Sequence, residues 1–272
     1  MTKNPQPDEQ AQSAMNVTGI DAYAPAEIAR RIEAVGVVKA KLPFLKLLML
    51  AVLAGVFIGF GAAFYTVVVT NEGVGYGVAR LLGGAAFSLG LVLVVVGGAE
   101  LFTGNNLIVM AWADKRISTG ELLRNWGVSY VGNAIGGVAL AFAVYGSGVL
   151  DPGAAGATAI RIAESKLALS PLEAFLRGAL CNALVCLAIW LSFAARSVTD
   201  KILAILFPIT AFVALGFEHS IANFYLIPVG LLAGAEGGLV NIAGNLAPVT
   251  IGNIVGGAGG VAGVYWIIYG RD

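Results

Sequence analysis

Residues 216–223 read Gly216-Phe217-Glu218-His219-Ser220-Ile221-Ala222-Asn223, and they place an acid and the chain's single histidine inside an apolar run from Ile202 to Ala235. A second stretch, Gly98-Ala99-Glu100-Leu101-Phe102-Thr103-Gly104-Asn105, has the same G-x-E-x4-N form 118 residues earlier, counted from Glu100 to Glu218. A carboxylate in the middle of an apolar helix leaves a charge in hydrocarbon, so both patterns mark interrupted helices. Each acid is then read as a cap, accepting from amides freed at the break.

The runs around these stretches are long enough to cross a bilayer, which takes about 20 apolar residues. Six spans follow: Leu47 to Asn71, Leu81 to Ala99, Asn125 to Leu150, Gly178 to Ala195, Ile202 to Ala235, and Ile242 to Tyr269. The second and fifth carry the interruptions, near Leu101–Gly104 and near Glu218–Ser220. Composition agrees with membrane burial. Only 12% of the 272 residues are charged, 58% are hydrophobic and the mean hydropathy is +0.85, against about 25% charged in a soluble domain. The 37 glycines lie largely within apolar runs, where small residues let helices approach closely. Tyr265, Trp266 and Tyr269 at the end of the sixth run suit the headgroup belt.

The third and sixth runs repeat as well. Asn125 to Gly137 and Asn245 to Gly257 both read N-x6-G-N-x2-G-G, 120 residues apart. Two matched motifs in one order, at nearly one offset, indicate an internal duplication. Each copy holds three spans, an odd number, so the second enters the membrane from the opposite face. The repeat is inverted about an axis in the membrane plane, which brings the two breaks together near the midplane. Irregular backbone at that depth is tolerated only where protein buries it or where it lines a cavity. The positive ends of half-helices favour an anion.

Lysine and arginine number twelve on the side that carries Lys3, Lys39, Arg116 and Arg271, and four on the side of Arg80, Arg161, Lys166 and Arg177. The positive-inside rule puts both termini in the cytoplasm. The expected segments are a cytoplasmic segment 1–41, a first membrane repeat 42–150, an extracytoplasmic loop 151–171 and a second repeat 172–272. The first 40 residues hold no apolar core of a secretory signal. Within them Pro25 to Val35 carries a weak amphipathic pattern, either a short helix at the membrane face or a solvated tail. Cys181 and Cys186 fall on different helix faces and read as core. A lone histidine excludes a multi-histidine metal site, and a net charge of zero argues against nucleic acid as a partner.

Further residues carry a family resemblance. Glu100-Leu-Phe-Thr-Gly104, Asn125-Trp126 with Gly132-Asn133, Asn182 with Leu184-Val-Cys-Leu-Ala188, Gly216 to Asn223, and Pro248-Val-Thr-Ile-Gly-Asn253 resemble the formate/nitrite transporter family, closest in motif to its formate channels. The resemblance implies an all-α, aquaporin-like protomer and a homopentamer with a pore in each protomer. It implies a small monovalent anion as substrate, foremost formate, with nitrite, hydrosulfide or a short carboxylate as alternatives, moved alone or with a proton. It further implies a bacterial or archaeal cytoplasmic membrane and no cofactor.

By motif position His219 looks like the central pore histidine and Thr103 its hydrogen-bonding neighbour. Asn182 and Asn253 look like polar residues supporting the pore and the substrate. Leu91 and Leu101 look like one apolar constriction, and Phe87 and Phe212 like the other. Lys166 looks like the vestibule lysine. On periodicity alone the four apolar residues are ordinary core, the asparagines bridge helices, Lys166 is a loop charge, and the histidine bonds a backbone carbonyl. A membrane enzyme would need clustered acids, histidines or cysteines, which the spans lack. A water pore would carry paired Asn-Pro-Ala motifs, also absent.

Overall fold

Apolar runs of this length have one way to satisfy their backbone in lipid, the helix, and the chain takes it. The computed structural model describes residues 22–70, 73, 75–150 and 154–270, and among them every element is helical. Lys3 and Arg271 of the charge count, Asn71 at the end of the first expected span, residues 1–21 of the expected N-terminal segment, residues 151–153 of the expected outer loop and Asp272 lie outside the described residues.

Helix α1 (Pro25–Ala40) precedes the bundle. The spans are α2 (Phe44–Val68), α3 (Tyr76–Gly97), α5 (Thr119–Gly146), α7 (Pro171–Ala194), α8 (Val198–Leu215) and the continuous stretch Leu239–Tyr269. That last stretch comprises α10 (Leu239–Ile254), a π-helical segment Val255–Gly263 and α11 (Val264–Tyr269). After α3 the chain continues as a 3-10 turn, Gly104–Ile108, and α4 (Val109–Ala113). After α8 it continues as α9 (Ser220–Ala233). Both interruptions are therefore present, over residues 98–103 and 216–219. Gly98 and Gly216 close the half-helices in the left-handed region, at φ +81° and +74°, which only glycine adopts freely.

Ser118 with Glu121, Ser170 with Glu173 and Ser197 with Asp200 close reciprocal N-terminal capping boxes on α5, α7 and α8, which satisfies amides that a helix start leaves open. The duplicated glycines bring the third helix of each repeat onto the first. A Cβ at Gly136 would stand 2.1 Å from Val52 O, and one at Gly256 1.9 Å from Ala179 O. Gly257 leaves room for Asn182, whose Nδ2 lies 2.2 Å from a Cβ built there.

The segment between the repeats contains helix α6 (Ala155–Leu167), which packs on α9 where Gly230 meets Ala159. Helix α1 packs on the bundle. Ile28, Ala29 and Ile32 are buried beside Leu107, Met110, Val261 and Ala262. Arg124 of α5 donates to Leu42 O just beyond α1, and Asn125 to Lys39 O.

Candidate functional site

The two breaks are held by one device used twice. Asn133 Oδ1 accepts from Phe102 N at 2.9 Å, while its Nδ2 donates to Ala51 O at 2.7 Å and Glu100 O at 2.9 Å. Asn253 Oδ1 accepts from Ser220 N at 3.0 Å, and its Nδ2 donates to Gly178 O at 2.8 Å and Glu218 O at 3.0 Å. Backbone groups that a broken helix leaves open are thus satisfied by the third helix of the same repeat.

The acids sit in a second duplicated network. Lys39 donates to Glu100 Oε1 at 2.8 Å; Asn105 donates to Glu100 Oε2 and to Asn125 Oδ1; Asn125 returns to Lys39 O. In the other half Lys166 donates to Glu218 Oε1 at 2.8 Å; Asn223 donates to Glu218 Oε2 and to Asn245 Oδ1; Asn245 returns to Lys166 O. Glu100 and Glu218 stand inside the breaks, each held by one lysine and one asparagine. Their oxygens bond lysine and asparagine side chains rather than the freed amides expected from the sequence. Lys39, Asn105, Asn125, Asn223 and Asn245 are participants that the sequence reading did not single out in this role. The four asparagines were already visible as the terminal residues of the duplicated motifs. Lys39 was hidden because the helices that precede the two repeats, α1 and α6, are offset by 127 residues, counted from Lys39 to Lys166, and not 118 or 120.

His219 is the N-cap residue of α9. Its Nδ1 accepts from Ala222 N at 3.1 Å, and its Nε2 lies 2.9 Å from Thr103 Oγ1, across the pair of breaks. An amide donor requires an acceptor, so Nδ1 carries no proton, and the neutral ring holds its hydrogen on Nε2 and donates it to Thr103. The Thr103 hydroxyl then has its own hydrogen to offer. Both residues are buried, His219 being 3% exposed and Thr103 0%. The His219 ring stacks on Phe212 at 5.9 Å, and Phe212 meets Phe87 edge-on at 5.5 Å.

Two cavities approach this pair from opposite ends. One, of 610 Å³, is lined by Phe87, Phe212, His219, Lys166 and Glu218 among others. The second, of 300 Å³, is lined by Leu101, Glu100, Lys39 and residues of α1. They share no lining residue. Phe87, Leu91, Leu101 and Phe212 are all members of one buried apolar cluster. The side chains of Asn253 and Asn182 are engaged by the fold. Asn253 has both amide hydrogens and its oxygen bonded to backbone. Asn182 directs its Nδ2 to Asn253 O, Asn106 Oδ1 and Thr103 O. Neither keeps an amide hydrogen for an anion; they hold the backbone on which Thr103 and His219 stand. Among the described residues no three histidines, cysteines or acids gather as metal ligands, and both cysteines are free thiols in the core.

The family model described as formate/nitrite transporter matches residues 26–267. The chain belongs to the formate/nitrite transporter family. Among its relatives, formate channel FocA of Escherichia coli (strain K12) is 41% identical over 274 residues, covering 93% of this chain and 96% of that one. A probable formate transporter of Methanothermobacter thermautotrophicus is 42% identical over 268 residues, covering 92% and 98%. Among solved structures, a pentameric formate channel with formate bound superposes with a TM-score of 0.77 at 44% identity, covering 84% of this chain and 98% of that one. An FNT family ion channel gives 0.83 at 30% identity, covering 89% and 98%. As a formate/nitrite transporter the chain is a multi-pass membrane protein with the aquaporin-like inverted repeat, and a member of an anion-channel family.

Proposed function

We propose that the protein is a formate channel that assembles as a homopentamer, and that the anion crosses by taking hydrogen bonds from Thr103 and His219. The observation that carries this reading is the Nε2–Oγ1 pair at 2.9 Å, set between two cavities and flanked by apolar side chains. A bare anion in such a section is strongly disfavoured, while a weak-acid anion that travels with a proton avoids most of that cost. The neutral ring and the hydroxyl supply donors where the vestibule water ends. The reading leaves no catalytic residue to assign. The charge asymmetry supports a cytoplasmic location for both termini, for α1 and for the Lys39 cavity, with the Lys166 cavity outside. The FocA relatives and the formate-bound pentameric neighbour are named for formate, which supports formate over nitrite or hydrosulfide.

The test is radiolabelled formate uptake into liposomes carrying the purified protein, with nitrite, hydrosulfide, chloride and nitrate in parallel. Formate enters well above protein-free liposomes, and chloride and nitrate, anions of strong acids, enter poorly. Chloride flux equal to formate flux under one gradient overturns the reading.

A further inference from the structure

The two cavities are electrically unlike. In the smaller one the charged lining is Lys39 with Glu100, bonded to each other. In the larger one the lining includes Arg80, Arg161, Lys166 and Arg177 against one acid, Glu218, and Glu218 is paired with Lys166 at 2.8 Å. Three guanidinium groups are left over. Arg80, on α3, lies over Gly216 at the edge of the break, and its Nε has no hydrogen-bond partner among the described residues. Its charge sits 5.5 Å above the Tyr76 ring. Arg161, on α6, donates to the neutral Thr158 hydroxyl. Arg177, on the second turn of α7, meets Glu173 only at 4.0 Å on an exposed surface, where such a pair holds little.

A walled cleft lined by one sign of charge focuses its field and concentrates counter-ions. This one exceeds what the permeating anion needs. Its volume of 610 Å³ falls in the range of about 300–1,000 Å³ typical of pockets for small organic ligands, whereas formate has three heavy atoms. Each guanidinium presents a planar fork that matches a carboxylate, and the three come from separate elements of the wall.

We propose that the Lys166 cavity is a binding site for a short dicarboxylate, held by Arg80, Arg161 and Arg177, which stops at the Phe87–Phe212 contact and blocks the pore from that end only. A dianion meets two forks where a monocarboxylate meets one. It cannot continue, because desolvation cost grows with the square of the charge and the two rings close the passage edge to face. The opposite cavity has balanced charge and gives no such block. The site rests on the geometry of the cavity; only its flux readout rests on the formate-channel reading.

Two measurements with succinate test this, and they fail separately. The first is calorimetric binding of succinate to the purified protein in detergent at fixed ionic strength, which requires no transport. Wild type binds succinate at least tenfold more tightly than acetate. The variants Arg161→Gln and Arg177→Gln each weaken it several-fold, and the double variant at least tenfold. Equal affinity for succinate and acetate, or an unchanged affinity in the double variant, overturns the proposal. The second is radiolabelled formate uptake into liposomes that carry the protein in one fixed orientation, with succinate outside or sealed inside. Block arises from one face and is lost in the double variant. Equal block from both faces, or no block where calorimetry shows the site filled, also overturns it. Absence of formate uptake without succinate counts against the formate reading and leaves the calorimetric test standing. Arg161 is exposed, so its replacement leaves packing intact even if the Arg177 variant expresses poorly.

Discussion

Asn133 and Asn253 make the same three bonds in the two halves of the molecule, each tying the first helix of its repeat to the backbone at the break in the second. Replacing either by alanine leaves two buried carbonyls and one buried amide without their partner. A buried group left unsatisfied costs about 1–3 kcal/mol, so each variant should lower the thermal midpoint of the detergent-solubilised protein by several degrees. A midpoint within one degree of wild type for both would mean that the breaks are held by something else.

The lysine–glutamate pairs are predicted to behave as units. Lys166→Ala strands the Glu218 carboxylate, which is 4% exposed, and losing one partner of a buried pair costs about 3–5 kcal/mol. The double variant Lys166→Met with Glu218→Gln should recover most of that loss, since no charge is left buried alone. The same contrast is expected for Lys39 and Glu100, more weakly, because Lys39 is more exposed. Yield and thermal midpoint of the single and double variants check both halves. A double variant no better than Lys166→Ala alone would show that the lysine acts as an independent surface charge.

His219 is predicted to act as a neutral donor. Protonating Nδ1 requires giving up the bond from Ala222 N, so a shuttle through that nitrogen first has to unmake the helix cap. Asparagine is among the best N-cap residues and can still donate toward Thr103. His219→Asn should therefore retain formate uptake with a pH profile like wild type. His219→Phe keeps bulk, loses cap and donor, and should lose uptake. A steep pH dependence in wild type that vanishes in His219→Asn would reassign the proton step to the ring.

Helix α1 should dock more tightly in acid. The Glu33 carboxyl is pushed up to about 7, first by desolvation, then by the charge of Asp114 and a hydrogen bond with it, against the pull of Arg116 at 3.6 Å. Docked Glu33 holds its proton more tightly than free Glu33. Its contribution is fully present below the ordinary carboxylate value of 4.5 and is lost as pH rises through about 7. Amide exchange in α1, corrected for intrinsic rates, should show more protection at about pH 5 than at about pH 8, and Glu33→Gln should flatten the difference. Equal protection at both values in wild type would remove Glu33 as the cause.

Most of the architecture follows from the order of residues alone, because lipid narrows the choices. Apolar runs must be helices. An acid inside one must mark a break, and two motif pairs near one offset must be copies. Six spans, interruptions at Glu100 and Glu218, and a histidine at the second break could be read before any coordinates. Spacing could not tell which groups each polar side chain bonds. Lys39 lies 61 residues from Glu100, and the packing of α1 against the first break brings them together; Thr103 lies 116 from His219, and only the inverted packing of one repeat on the other brings those two within hydrogen-bond distance. Asn253 reads as a pore residue in sequence and proves to be fully bonded to backbone, because the packing inside its own repeat supplies the partners. Arg80, Arg161 and Arg177 were in view as three scattered charges on one side of the membrane. Their convergence on a single cavity comes from three helices folding around it, because electrostatic potential depends on distance in space and not along the chain.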